Sequence, residues 1–509
     1  MGNANIQRRG GVLKKALIAL GVMVLVVLIL VGRDVVLGLT ATPDISEDYG
    51  LRLHELALDR QRAALGGGPD EWPAYERAME AIAAASDEQG QRLRAMDWDP
   101  DDPWAVIAFD ALYSPPDGGT PEHYAAARRR AAEELDRWEA DGIFGHAARI
   151  AAIRVAAPPP VSGPLVAADA PYLGPSRAMA RAQAARMHRL AERGDLDGVA
   201  TAFEELIEHG RVLSWQGGLL RYFVALALRS LAYERMAGVI LLHGIDDDAW
   251  LRRIDALVVR SGETYAPLEF VLEADGMMGL DTIQRSYTSE GRFIPTASAA
   301  LLGVGPLGGA DPPAITNAAW RFFPSRAEAE AMLAEQRRDM LAASELTGDN
   351  AARAFAALEV ADEARSASAS ASIVGVLPIQ SVAQMPLRDR LQRHGLRVLL
   401  AIERYRAQHG GAPPASLGDL GGLLPAGLRN DPVTGEPWSY TPGPGDADAA
   451  GQPIPEGAIR WPYELRVELP ASFVDQQGWG GSSWRWASRI TRHIDPPVYD
   501  EPIDDGDGG

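Results

Sequence analysis

Four groups of residues have types and spacings that could carry chemistry. Gly303, Gly305 and Gly308 stand as Gly-x-Gly-x-x-Gly. That spacing lets a backbone approach a dinucleotide pyrophosphate when a strand precedes it and a helix opens at its end. Pro306, Pro312 and Pro313 fall where the helix would have to form, and proline removes the N–H groups a helix needs; the segment reads as a connector. Asp97, Asp99 and Asp101 sit at the first, third and fifth positions of a calcium loop, but Asp102 and Ala108 stand where its glycine and glutamate belong. The Asp-Pro steps there suit turns and helix caps better. His54-Glu55 opens like a zinc-peptidase helix, yet Leu58 occupies the place of the second histidine. His188, His209 and His243 remain as bases for an exported hydrolase, which requires the fold to bring one of them to a carboxylate in a pocket with a shifted pKa. No Gly-x-Ser-x-Gly elbow is present. The expectation is no catalytic residue, no cofactor-binding residue, no metal ligand and no cofactor.

Composition narrows the chemistry further. The 509 residues include no cysteine, which excludes disulfides, thiolate nucleophiles, zinc–thiolate sites and iron–sulfur ligation. Lys14 and Lys15 are the only lysines, so nothing beyond them can form a Schiff base or serve as a phosphate-binding lysine. Net charge is −20, and because residues 1–33 carry five cations and no acid, the remainder carries −25. So acidic a body repels phosphate backbones, and nucleic acid is not an expected partner.

The elements that would position any site begin with an apolar run. Residues 16–32 (ALIALGVMVLVVLILVG) follow Arg8, Arg9, Lys14 and Lys15. Seventeen helical residues rise about 25 Å against a hydrocarbon core of about 30 Å, and Val35, Val36, Leu37 and Leu39 can extend the helix. The basic flank resists crossing. The expectation is a cytoplasmic tail over 1–15, an uncleaved single-pass transmembrane anchor over 16–39 in a bacterial inner membrane, and an exported body in the periplasm or outside. The apolar core is longer than a cleaved signal peptide requires, and Leu39-Thr40-Ala41 is a poor cleavage site.

The body reads as mainly α-helical. Over 40–157, Trp72, Tyr75, Met79 and Ile82 recur at three- and four-residue spacing, the mark of one apolar helix face, and Gly66-Gly67-Gly68 interrupts the pattern. Pro158-Pro159-Pro160 marks a break. A repeat-like helical bundle is expected over 165–295, with helices over 177–193, 196–209 and 219–242, then 249–259. Asp195 is placed to cap the second of these and Asp246 or Asp247 the last. The third is almost apolar, but Arg221, Arg229, Glu234 and Arg235 argue against a second membrane span, so it reads as the central core helix. A linker follows over 296–315, then a helical region and joint over 316–372 with a helix at 326–346. A small α+β module is expected over 385–495, and an acidic tail over 496–509. The aromatic segments 320–323 (WRFF) and 479–486 (WGGSSWRW) are candidate contact patches or local core.

Within 387–440, Leu387, Leu391, Val398, Ile402 and Tyr405 line one helix face. His409-Gly410-Gly411-Ala412-Pro413 then stops the helix, and Asp431-Pro432-Val433-Thr434-Gly435-Glu436-Pro437-Trp438-Ser439-Tyr440 follows. This stretch resembles the C-terminal half of type II secretion pseudopilins, where a glycine-stopped helix leads to a turn and a strand. The prepilin-type cleavage sequence of that family is missing at Lys14-Lys15-Ala16-Leu17. The whole layout also resembles a class of uncharacterised bacterial membrane-anchored envelope proteins with such a module. Its pieces here are Trp72-Pro73-Ala74-Tyr75, the apolar stretch 219–242, and Asp281-Thr282-Ile283-Gln284-Arg285-Ser286-Tyr287 running on to Gly291-Arg292-Phe293. The resemblance implies no activity. Arg285 and Tyr287 read as an arginine–acid pair and a buried aromatic, or as a functional surface. The functional expectation is a non-catalytic envelope scaffold or protein-binding protein, held by its membrane helix and meeting envelope proteins. The alternatives are an exported hydrolase using carboxylate and histidine chemistry, or a pseudopilin-like secretion component.

Overall fold

The computed structural model describes residues 41–95, 109, 121–165, 170–294, 324–346, 379–443, 463–468 and 483–485, with positions 350, 353, 354, 357, 358 and 360. The chain is mainly α-helical and its body is a helical bundle. In order come α1 (Tyr49–Leu65), α2 (Trp72–Ala95), α3 (Pro121–Ala140), α4 (Phe144–Ala152), α5 (Leu173–Glu192), α6 (Leu196–Ser214), α7 (Leu219–Leu242), α8 (Asp248–Thr264), α9 (Leu268–Ser286), α10 (Arg326–Ser344) and α11 (Ile379–Gln408). Short 3-10 turns at Leu417–Leu423 and Ala426–Leu428 lead into an antiparallel sheet of β1 (Ser439–Pro442), β2 (Tyr463–Glu468) and β3 (Ser483–Arg485).

Local chemistry sets the helix boundaries. Asp48 accepts the Leu51 N–H at 2.9 Å, Asp195 that of Gly198 at 2.9 Å, and Asp247 those of Ala249 and Trp250 at 2.9 and 3.0 Å. Each satisfies donors the helix start leaves orphaned. Ser325 and Glu328 form a reciprocal capping box on α10. Gly66 closes α1 in the left-handed region at φ +85°, where a side chain would be strained. Three helices overrun or fall short of their expected ends. α6 continues past His209 because Arg211, Val212 and Leu213 are buried too; α8 continues to Thr264 because Ser261 is buried; α10 stops at Ser344.

The apolar helix α7 is the hub, packed by α5, α6 and α11, while α8 bridges α6 and α11. Ala225, Ala232, Tyr233, Met236 and Ile240 are sealed from solvent. Among the described residues no helix is long and apolar enough to cross a membrane. The largest buried cluster joins α7 to Leu387, Leu391, Val398 and Ile402 of α11 and on to Trp438, Tyr463, Leu465 and Val467. In β2 the buried Tyr463, Leu465 and Val467 alternate along the strand, as the two-residue period requires. A second cluster gathers Tyr75, Met79 and Ile82 of α2 with Leu135, Trp138 and Ile150. A third holds Ile283, Tyr287 and Phe293 against Ala329 and Leu333 of α10.

Candidate functional site

The last turn of α9 forms a clasp. The Asp281 carboxylate, 1% exposed, accepts the Leu165 N–H at 2.8 Å, the Gln284 amide at 2.8 Å and the Arg285 Nε–H at 2.9 Å. Gln284 makes a two-way pair with the backbone of Glu47, accepting its N–H at 3.2 Å and donating to its carbonyl at 2.9 Å. The Asp44 N–H donates to the Tyr287 carbonyl at 2.9 Å, and Arg326 Nη1 to the Asp44 carboxylate at 2.9 Å. Arg285 also donates to the Gly163 carbonyl at 3.0 Å, and Tyr287 to that of Pro324 at 3.0 Å. A carboxylate with three donors and a fully used amide is a rigid polar joint. It fixes residues 44–47 and the 163–165 segment to one end of α9. Arg285 is thus one half of an arginine–acid pair, and Tyr287 is a buried aromatic whose hydroxyl pKa burial pushes up.

An open cleft of about 500 Å³ lies between α4, α6 and α8. Glu204, Glu205, Glu208 and Arg211 of α6 face Arg154 and Arg260 across it. Arg211 donates to the Glu208 carboxylate and to the Ile153 carbonyl, and at 3.3 Å to the Arg154 carbonyl. Arg260 bridges Glu204 and, at 3.7 Å, Glu208. Glu205 accepts from Gln183 at 2.7 Å and Arg186 at 3.4 Å, and burial raises its pKa. Glu204, Glu205, Glu208, Arg211 and Arg260 are engaged in these pairs, and the cleft presents a mixed rather than a single-signed surface.

The three candidate histidines do not converge. His188 and His243 approach with ring centroids 6.0 Å apart. His209 lies elsewhere, its Nε2 3.1 Å from the Ser176 hydroxyl. Ser176 and His188 are twelve residues apart on α5, roughly 18 Å along the axis. Burial lowers His188 well below the ordinary histidine range and takes His209 down to about 4. The Ser176–His209 pair resembles a nucleophile and its base, but Ser176 is 0% and His209 1% exposed, and His209 Nδ1 has no partner to orient the ring. A Ser–His pair acts when an acid orients it and a substrate reaches it. Here it is a buried polar tie between α5 and α6. His54 Nδ1 donates to the Pro158 carbonyl at 2.8 Å and joins α1 to the proline break.

The central polar joint carries no motif that would single it out in the sequence. Arg229 of α7 meets Asp389 of α11 at 2.7 Å, donates to the Ser261 carbonyl at 2.9 Å, and stacks its guanidinium 3.6 Å from the Tyr265 ring centroid. Burial opposes its charge, and Asp389 together with Tyr233, Tyr265 and Tyr222 more than offsets this, leaving the guanidinium pKa raised. The one signal for it is an arginine inside an apolar helix, which demands a buried partner. The Asp97–Asp101 loop, Gly303–Gly308, the aromatic segment 320–323 and the anchor 16–39 lie outside the described residues. So do the linker, the acidic tail and most of 479–486. Among the described residues no group of three or more histidine, aspartate or glutamate side chains is set to hold a metal ion. No protein family matches the chain, and neither curated proteins nor solved structures give a match.

Proposed function

We propose that this protein is a membrane-anchored helical scaffold of the bacterial envelope that works by binding other proteins. The clasp carries this reading. Chain leaving the apolar run at residue 39 is gripped at Asp44 and Glu47 by Tyr287, Gln284 and Arg326. A short, rigidly fixed tether suits a body held at a defined height, whereas a domain that only needs to stay near a membrane can hang from a flexible linker. Polar clusters inside the body join helix to helix, Arg229 to Asp389 and Ser176 to His209, and helix to connecting segment, Asp281 to Leu165. The acidic surface favours partners of opposite charge. Alkaline extraction of membranes, with protease accessibility of the body in intact and permeabilised cells, tests the anchor; release of the intact chain into the soluble fraction would overturn it. Crosslinking in intact cells then identifies the bound proteins.

A pseudopilin-like secretion component is the second reading. Its support is α11, stopped at Gly410 and Gly411 and followed by turns and an antiparallel sheet. Against filament assembly, Leu387, Leu391, Val398 and Ile402 already pack into the bundle. Copurification with secretion machinery distinguishes the two.

A further inference from the structure

The clasp gathers two surface segments at one corner, and that corner is apolar. Ile45 is 55% exposed, Leu51 42% and Val161 36%. Their neighbourhood is fixed by bonds already described: Glu47 to Gln284, Arg285 to Gly163, and His54 to Pro158. Leu51 and His54 are three apart on α1 and share a face, so Leu51 stands beside the 158–161 segment. Gly50 packs so closely on it that a Cβ there would lie 2.6 Å from the Val161 carbonyl oxygen. Large exposed aliphatic side chains brought together from two distant segments mark a contact surface.

What covers the corner follows from the chain that leads into it. Five Cα–Cα steps separate Leu39 from Asp44, a reach of about 18 Å at full extension. Asp44 is held to Tyr287, so Ile45, one residue on, stands within about 22 Å of the end of the apolar run. Arginines offset three of the carboxylates near the corner, Arg326 with Asp44 at 2.9 Å, Arg52 with Glu47 at 3.3 Å and Arg285 with Asp281 at 2.9 Å, which lowers the repulsion from an anionic headgroup layer; Asp48 keeps its charge and caps α1.

We infer that the corner formed by Ile45, Leu51 and Val161 rests on the lipid surface from which the chain emerges. This rests on the anchor reading above and adds an orientation to it. Three aliphatic side chains give a weak contact, weaker at an interface than at full burial. The tether makes the contact intramolecular, so a weak contact suffices. α7 then starts near the membrane, since Gly217 packs on Leu53 of α1, and its far end, where α8 begins, points away.

The chain has no cysteine, so single-cysteine variants can be labelled uniquely. The full-length protein is reconstituted in phosphatidylethanolamine–phosphatidylglycerol vesicles containing spin-labelled lipid, labelled mid-chain to read position 24 and near the headgroup to read the others, with a fluorophore at V24C, L51C, V161C or R252C. Position 252 lies in the second turn of α8, beyond the far end of α7 and roughly 35 Å along α7 from the clasp end. Expected is quenching at 24, at 51 and 161 by about twofold or more, and none at 252, consistent with a shallow interfacial contact. Quenching at 24 but not at 51 and 161 overturns the inference and leaves the anchor standing. No quenching at 24 removes both.

Discussion

Arg229 of α7 and Asp389 of α11 meet at 2.7 Å in the interior, 160 residues apart in sequence, and bind the C-terminal helix to the hub of the bundle. Both are nearly sealed from solvent, at 4% and 8% exposure. A buried pair of this kind costs little to replace as a whole and much to halve. Asp389→Ala leaves the guanidinium against Tyr265 without its carboxylate, and is expected to destabilise the protein by about 3–5 kcal/mol. The double variant Arg229→Met with Asp389→Leu is expected to recover most of that loss. Urea denaturation of the purified full-length proteins measures both; equal losses in the single and double variants would refute the account.

Gly210 tests how close α6 and α7 lie. A Cβ there would sit 2.2 Å from the Tyr265 hydroxyl and 3.0 Å from the Ala225 carbonyl oxygen. Alanine is a better helix former than glycine by about 1 kcal/mol, so a free surface would make Gly210→Ala stabilising. The contact predicts the opposite sign: a loss of about 1–3 kcal/mol from overpacking, with the Tyr265 hydrogen bond to the Ile207 carbonyl, 2.8 Å long, displaced. The sign of the change in unfolding midpoint decides.

His209 makes stability depend on pH. Burial lowers its pKa from 6.5 to about 4, so between those values the unfolded chain takes up a proton that the folded chain refuses. Its contribution is fully present above pH 6.5 and is lost as pH falls toward 4, by up to about 3 kcal/mol. Asp275, whose carboxyl burial pushes up to about 6, acts in the opposite sense: its contribution is present at low pH and fades as pH rises toward 6. The measurement is therefore a difference. His209→Gln is expected to flatten the fall in stability between pH 6.5 and 4 relative to the parent, and parallel curves would exclude the assignment.

The clasp gives a local signature. Gln284→Ala removes both bonds to the Glu47 backbone and is expected to raise amide hydrogen exchange at Glu47 and Asp44 at least about tenfold, since opening there loses roughly 1–3 kcal/mol of protection. Exchange in α7 is expected to stay unchanged. Uniform acceleration across the bundle would mean that the clasp is part of the global core.

Helices with local punctuation are legible in the sequence. Tyr75, Met79 and Ile82 are sealed as their spacing predicts, and Asp195 and Asp247 cap α6 and α8. The central role of α7 follows from its apolar length and its charges. What is not legible is how the polar residues of the motif around Asp281 find partners. Gln284 bonds Glu47 across 237 residues and Asp281 bonds Leu165 across 116, and pairings at that range leave no periodicity in a sequence. The cleft at Glu205 escapes a sequence reading for the same reason: α4, α6 and α8 each carry part of it, and none of the parts is a motif. The start of α11 at Ile379, ahead of Pro386, is hidden because proline ordinarily ends a helical reading.

The union of α7 with α11 also constrains the order of events during synthesis. The buried cluster around α7 is incomplete until Leu391 and Val398 of α11 arrive, after about three quarters of the polypeptide has been made. A nascent chain therefore carries an unfinished, sticky interior for most of its translation, at a stage when long-range closure is slow and aggregation competes with it. Production of this protein should consequently depend on holdase chaperones far more than its cysteine-free composition suggests, and truncation before α11 should yield insoluble material instead of a smaller folded unit.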